Sequence, residues 1–228
     1  MNIQTMAMSE AVGDVMRKLT VAFTEFEQRL EQTALLRKLA RGRFTLDDYR
    51  RFLVELRQQV KDGALWMSRA ASNVGEDHLE LRSSLMRHAV TEHRDFRMLD
   101  ADYVSTGGEL ETIQSAEKNA GSEALSAFMF NEASKPDPFG LLGAMWMIEG
   151  LGAVKAREWG RLAQRSLGLP DAAVRFLLYH GDNDLGHIEE FKEMLALVLP
   201  GEETARRIVR TAEVVGRLYT LQIEEMAA

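Results

Sequence analysis

Apolar residues recur at helical spacing along almost the whole chain, and no alternating apolar–polar run of strand length competes with them. A chain patterned this way can bury its apolar stripes only by packing helix against helix. Only four prolines occur in 228 residues, and β-branched runs are few, so little interrupts helix formation. The pattern predicts an all-α fold: one domain over residues 1–228, built as a bundle of about seven long helices with short connections.

Punctuation residues set the expected boundaries. A first helix covers roughly 8–40 and ends near Gly42. Thr45, followed by Asp47 and Asp48, reads as an N-cap with an acidic first turn. The second helix runs from there to about Asn73–Gly75, with Gly63 as a candidate kink. A third starts near Glu76 and stops before Gly107–Gly108, and a short helix at 122–133 ends in Lys135-Pro136-Asp137-Pro138. The next runs from about Pro138 to Ser166. Asp171, after Pro170, is expected to cap a helix that reaches Leu199, and Pro200–Gly201 separates it from a last helix over 202–226.

Composition removes several function classes. The net charge of −7, with no basic stripe, argues against a nucleic-acid partner. The absence of cysteine excludes disulfides, thiolate metal sites, iron–sulfur clusters and cysteine nucleophiles. The first twenty residues lack a basic start followed by an apolar stretch. Leu141–Val154, the longest apolar run, is interrupted by Glu149 and is too short to span a bilayer. A cytoplasmic protein without a membrane partner is the expectation.

Against this background, His180, Asp184 and His187 stand out. Positions i, i+4 and i+7 fall within roughly 60° of one another on a helix. Phe191 and Met194 continue the same face, which points it inward. Buried imidazoles and carboxylates are costly unless they pair or bind a cation. Imidazole with carboxylate suits iron, manganese or zinc. Taken alone, this triad is explained better by a hydrogen-bonded core histidine cluster than by a metal. Gly181 and Gly186 leave room beside it for another group. His88, Glu92 and Asp95 repeat the spacing on an earlier helix, whereas His93, about 140° from His88, belongs to the surface. Glu149 is embedded in Ala-Met-Trp-Met-Ile-Glu-Gly-Leu-Gly-Ala-Val, where a carboxylate must be neutral, paired or metal-bound. Four carboxylates and three imidazoles on three helices exceed one tetrahedral zinc and suit two irons bridged by carboxylates. Trp66, Trp146, Met145 and Met147 are candidates to line an apolar pocket, although such residues at helical spacing also make ordinary core.

The order of these elements resembles the heme-oxygenase-like diiron oxidases. An acid-bearing helix comes first, then a glutamate in an apolar helix, then His-x3-Asp-x2-His about thirty residues later. The likeness covers roughly residues 80–195 and is strongest over Leu141–His187; the stretch from Glu92 through Asp102 to Gly107 is similar to the family's first ligand helix. The resemblance implies a heme-oxygenase-like bundle and metal ligation by Glu149, His180, Asp184 and His187. It expects a glutamate and a histidine on the first ligand helix. Here Asp95 stands where that histidine belongs, with Glu92 three and His88 seven residues before it. By resemblance the cofactor is Fe(II), two per chain or with manganese in its place. O2 is the co-substrate, and the other substrate is small: an amino acid, a fatty acid or a natural-product intermediate. Relatives of this fold are commonly dimers, so a homodimer is the assembly the resemblance allows. A true heme oxygenase carries a proximal histidine on its first helix, and the first histidine here is His78. A thiaminase-II-like enzyme needs a cysteine. A metal-free oxidase resembling pyrroloquinoline-quinone synthase, and a non-enzymatic metal- or ligand-binding protein, stay open as alternatives.

Overall fold

Helix-favouring periodicity becomes helix throughout the computed structural model, which describes the backbone of residues 3–226 and the side chains of 9–182 and 190–226. Its α-helices are α1 (Ile3–Gln32), α2 (Ala34–Ala40), α3 (Leu46–Asn73), α4 (Leu79–Glu92), α5 (Phe96–Ser105), α6 (Leu110–Ser115), α7 (Ala120–Ala133), α8 (Leu141–Leu151), α9 (Arg157–Leu167), α10 (Arg175–Val198) and α11 (Glu202–Glu225). No strand occurs among the described residues. A π-helical turn, Gly152–Ala156, joins α8 to α9 without a break in helical backbone.

The fold class is as the periodicity predicts, with more and shorter helices than seven. The expected first helix stops at Thr33, whose extended backbone and side-chain oxygen cap α2 by accepting the Leu36 N–H. The expected third helix breaks at residues 93–95, a break that matters below. A six-residue helix, α6, precedes α7. Thr45 caps α3 as expected, in a reciprocal box in which Asp48 accepts the Thr45 N–H at 3.0 Å. The helix runs through Gly63 uninterrupted. Asp171 does not cap α10. It lies in a separate 3-10 turn, Asp171–Ala173, and its carboxylate accepts from Gln164 and Arg161 instead.

Packing gathers the long helices around one continuous apolar core that includes Leu19, Phe26, Leu53, Leu99, Leu142 and Ile223. Helix α3 lies against α4, α5 and α7. Helix α11 packs on α1, α7 and α8. Helix α10 lies against α4, α5, α8, α9 and the π-turn. The α8–α11 crossing is so close that a Cβ on Gly143 would sit 2.0 Å from the Ile208 carbonyl oxygen, so only glycine fits there.

Candidate metal centre

The break between α4 and α5 occurs at the last acid of α4. Glu92 ends that helix, residues 93–95 form a turn closed by the Asp95 N–H on the Glu92 carbonyl, and Asp95 opens α5 without a capping hydrogen bond. Asp95 is therefore not on the same helix as His88 and Glu92, as the spacing predicts. The turn nevertheless keeps its carboxylate beside theirs. Ligand atoms of Glu92, Asp95 and His180 all lie within 4.8 Å of one another.

Two other elements complete the wall. Glu149 occupies the last turn of α8, just before the π-turn, and α10 brings His180 across from it. The start of α10 is held from outside its own sequence. Asp102 of α5, fully buried, accepts the Phe176 N–H at 2.8 Å, and the Tyr49 hydroxyl donates to the Ala173 carbonyl at 2.7 Å. These contacts do the work of a cap that Val174 cannot supply. At Gly181, α10 meets the start of α9 so closely that a Cβ would lie 2.6 Å from the Cβ of Arg157 and 2.8 Å from its backbone nitrogen. The room left by that glycine is thus filled by a helix contact, not by a ligand, and Gly150 similarly faces the Phe23 ring. Together these contacts set the height and rotation of His180.

Within the cluster, each described imidazole faces a carboxylate. His88 Nε2 and Glu149 Oε1 are 3.0 Å apart, and His180 Nε2 and Asp95 Oδ2 are 3.3 Å apart. Both histidines are buried, and the acids are mostly so. Burial first, and the neighbouring Glu149 carboxylate second, push the Glu92 carboxyl up to about 7, because a second negative charge in a poorly solvated pocket is disfavoured. Asp102 is raised to about 6, mainly by burial, against the opposing pull of the N–H groups it accepts. Carboxylate and imidazole are donor types that suit a divalent cation, and here they converge at a partly dry spot.

The cluster forms part of the wall of a cavity of about 100 Å³. Glu92, Glu149 and His180 contribute polar atoms. Phe52, Leu56, Trp66, Met67, Trp159 and Phe176 are among the residues that make the rest apolar. Of the pocket candidates, Trp66 lines this cavity. Trp146 and Met145 border a smaller void beside His88 and Glu149. Met147 is plain core, fully buried, with its Cε close to where a Cβ on Gly216 would be.

The structure therefore brings together five of the residues singled out in the sequence: His88, Glu92, Asp95, Glu149 and His180. Asp184 and His187 lie on the described backbone of α10, but their side chains fall outside the described residues. His93 is exposed, as its angle predicts, with Nδ1 2.6 Å from the Val90 carbonyl oxygen. Sequence reasoning missed Gln59 and Tyr219, which also line the cavity. It also missed the role of Asp102 as a cap for α10, a contact 74 positions away that local spacing does not signal.

An all-helical fold of the heme-oxygenase type, with a buried carboxylate–histidine cluster against an apolar cavity, defines the class of this protein. The chain belongs to the iron-containing redox enzyme family, whose model matches residues 50–220. Similar solved structures include a domain of unknown function with a heme oxygenase-like fold from Shewanella denitrificans, with a TM-score of 0.84 and 20% identity over 94% of this chain and 91% of that one. A TenA homologue from Pseudomonas syringae has a TM-score of 0.76 and 14% identity, covering 93% and 92% of the two chains. Heme oxygenase-1 from the cyanobacterium Synechocystis, in complex with heme, has a TM-score of 0.71 and 14% identity, covering 92% and 91%. At these identities the likeness establishes the fold alone. Comparison of the sequence with curated proteins returns no match. No helix among the described residues is long and apolar enough to cross a membrane.

Proposed function

We propose that this protein is a non-heme iron oxidase or oxygenase that holds two ferrous ions and uses O2 to oxidise a small organic substrate. One observation carries the reading: Glu92, Asp95 and His180 converge within 4.8 Å of one another, and Glu92 and His180 line an apolar cavity large enough for a small molecule. Membership of an iron-containing redox family supports it. These three residues would hold one ion. His88 and Glu149 beside them, with Asp184 and His187 further along α10, would serve the second. Bound ferrous iron would supply the electrons for O2 reduction and the oxidising power that takes hydrogen from the substrate or adds oxygen to it. The chain's own part is to fix the donors from three helices, to exclude water with the aromatic wall, and to hold a proton on Glu92 until a cation displaces it. Manganese suits the same donors.

The test is anaerobic titration of the metal-free protein with ferrous iron, followed by metal analysis. About two irons per chain, lost on His180→Ala, is the expected result. Uptake well below one iron per chain, unchanged by that substitution, would sink the metal reading. The His88–Glu149 pair also has the geometry of a histidine held for acid–base chemistry, which favours a metal-free oxidase of the same fold as the second reading. That reading predicts O2-dependent turnover that survives chelation.

A further inference from the structure

A second, smaller void lies beside the main cavity. Its volume is about 10 Å³, close to the least that admits one water-sized molecule. Leu36 and Leu39 of α2, Phe44 of the loop after it and Ala163 of α9 belong to this void alone. Phe52, Trp159 and Leu177 line both spaces and so form the partition between them. The Phe52 and Trp159 rings meet edge to face there, with centroids 6.3 Å apart. Every residue of the void's wall is buried.

Chemistry separates the two spaces. In the main cavity, Glu92, Glu149 and His180 present polar atoms. The surface of the small void is almost wholly apolar. Tyr49 also lines it, but the Tyr49 hydroxyl proton is committed to the Ala173 carbonyl at 2.7 Å. A buried water needs about two to four polar partners, and this wall does not offer them. An organic guest of several heavy atoms does not fit. What suits the void is a single small apolar molecule, which is released from water on entering it. O2 is scarcely larger than water, carries neither charge nor dipole, and is the gas that the proposed oxidase consumes.

We infer that this void is a docking site for O2, one layer of side chains away from the main cavity. Leu177 belongs to the partition and stands one turn before His180 on α10. Movement at Phe52, Trp159 or Leu177 would therefore pass the gas into the space that the candidate ligands line. Its role as co-substrate rests on the proposed oxidase, whereas docking itself needs no metal.

The experiment uses the metal-free full chain with labelled methyl groups and dissolved O2 itself as the probe, since O2 is paramagnetic and speeds the relaxation of nuclei that it visits. Methyl relaxation is measured by NMR under nitrogen and under O2. Leu81 and Leu142, equally buried and lining neither space, report the packed core. O2-induced relaxation at Leu36, Leu39, Ala163 and Leu177 is expected to be at least about threefold that of the core pair, because a close-packed interior gives the gas no place to reside. Ala163→Val adds bulk to the void and should bring Leu36 and Leu39 down to the core level, while Leu56 in the main cavity keeps its response. Leu39→Phe fills the void from α2 if the valine variant loses helicity. The comparison on the unsubstituted chain needs no variant. Responses equal to those of Leu81 and Leu142, responses that filling leaves unchanged, or water cross-relaxation at the same methyl groups would each overturn the inference. The iron titration is independent of all of these results, so failure here and failure of the iron reading are distinguishable.

Discussion

Glu92 gives the sharpest quantitative test of the site. Its carboxyl sits at about 7 in the folded protein against an ordinary value of 4.5. The folded state therefore holds the proton more tightly than the unfolded chain between those values. The stabilisation from this proton is fully present below pH 4.5 and is lost as pH rises through 7. A shift of about 2.5 units corresponds to about 3 kcal/mol at 1.36 kcal/mol per unit, and Glu92 is buried enough for most of that to survive screening. Glu92→Gln keeps the shape and cannot ionise. In metal-free protein, urea unfolding at pH values from 4 to 8 should show the variant gaining on the unsubstituted chain by up to about 3 kcal/mol, with the change centred near pH 6, roughly midway between the unfolded and folded values. Two parallel stability curves would refute the argument that burial and Glu149 hold this proton in place.

Asp102→Leu should cost about 1–3 kcal/mol, because the Phe176 N–H loses its acceptor at the start of α10; faster hydrogen exchange at that amide and weaker iron binding check it, and Asp102→Asn, which keeps an oxygen acceptor, should lose less. Gly181→Ala should destabilise by about 1–3 kcal/mol, since its Cβ meets the Arg157 backbone nitrogen at 2.8 Å. Thermal unfolding measures that loss, and a variant as stable as the parent would contradict the close α9–α10 contact.

Where the sequence was legible, the signal was local. Helical periodicity, the Thr45–Asp48 box, and the shared faces of His88 with Glu92 and of His180 with Phe191 all follow from spacing along one chain segment. Glu149 could be read because an acid in an apolar run is conspicuous wherever it occurs. The break at 93–95 was not legible, since nothing in Glu-His-Arg-Asp forbids helix and the residues carry no glycine or proline. The π-turn at 152–156 has the same difficulty: its residues are ordinary in an α-helix. Gly181 was legible only in part. A glycine announces a close approach but not what approaches, and here that is Arg157. Asp102 acts across 74 positions, and Gln59 and Tyr219 come to one cavity wall from opposite ends of the chain, where spacing carries no information at all.

The helix break also bears on the aspartate that stands where a histidine is expected. Asp95 leads α5 with no cap to make, so its carboxylate is committed to the cluster, 3.3 Å from His180. Among the described residues, His88 faces Glu149 and His180 faces Asp95, and Glu92 is a third acid beside them. That surplus is what burial and Glu149 convert into a retained proton. A histidine at position 95 would leave two acids to three imidazoles among the described residues. Asp95 instead keeps a third acid among the described residues of the cluster, and a divalent cation held by Glu92 would replace the proton that this carboxyl retains. Cation uptake below pH 7 and proton release from Glu92 are then a single event.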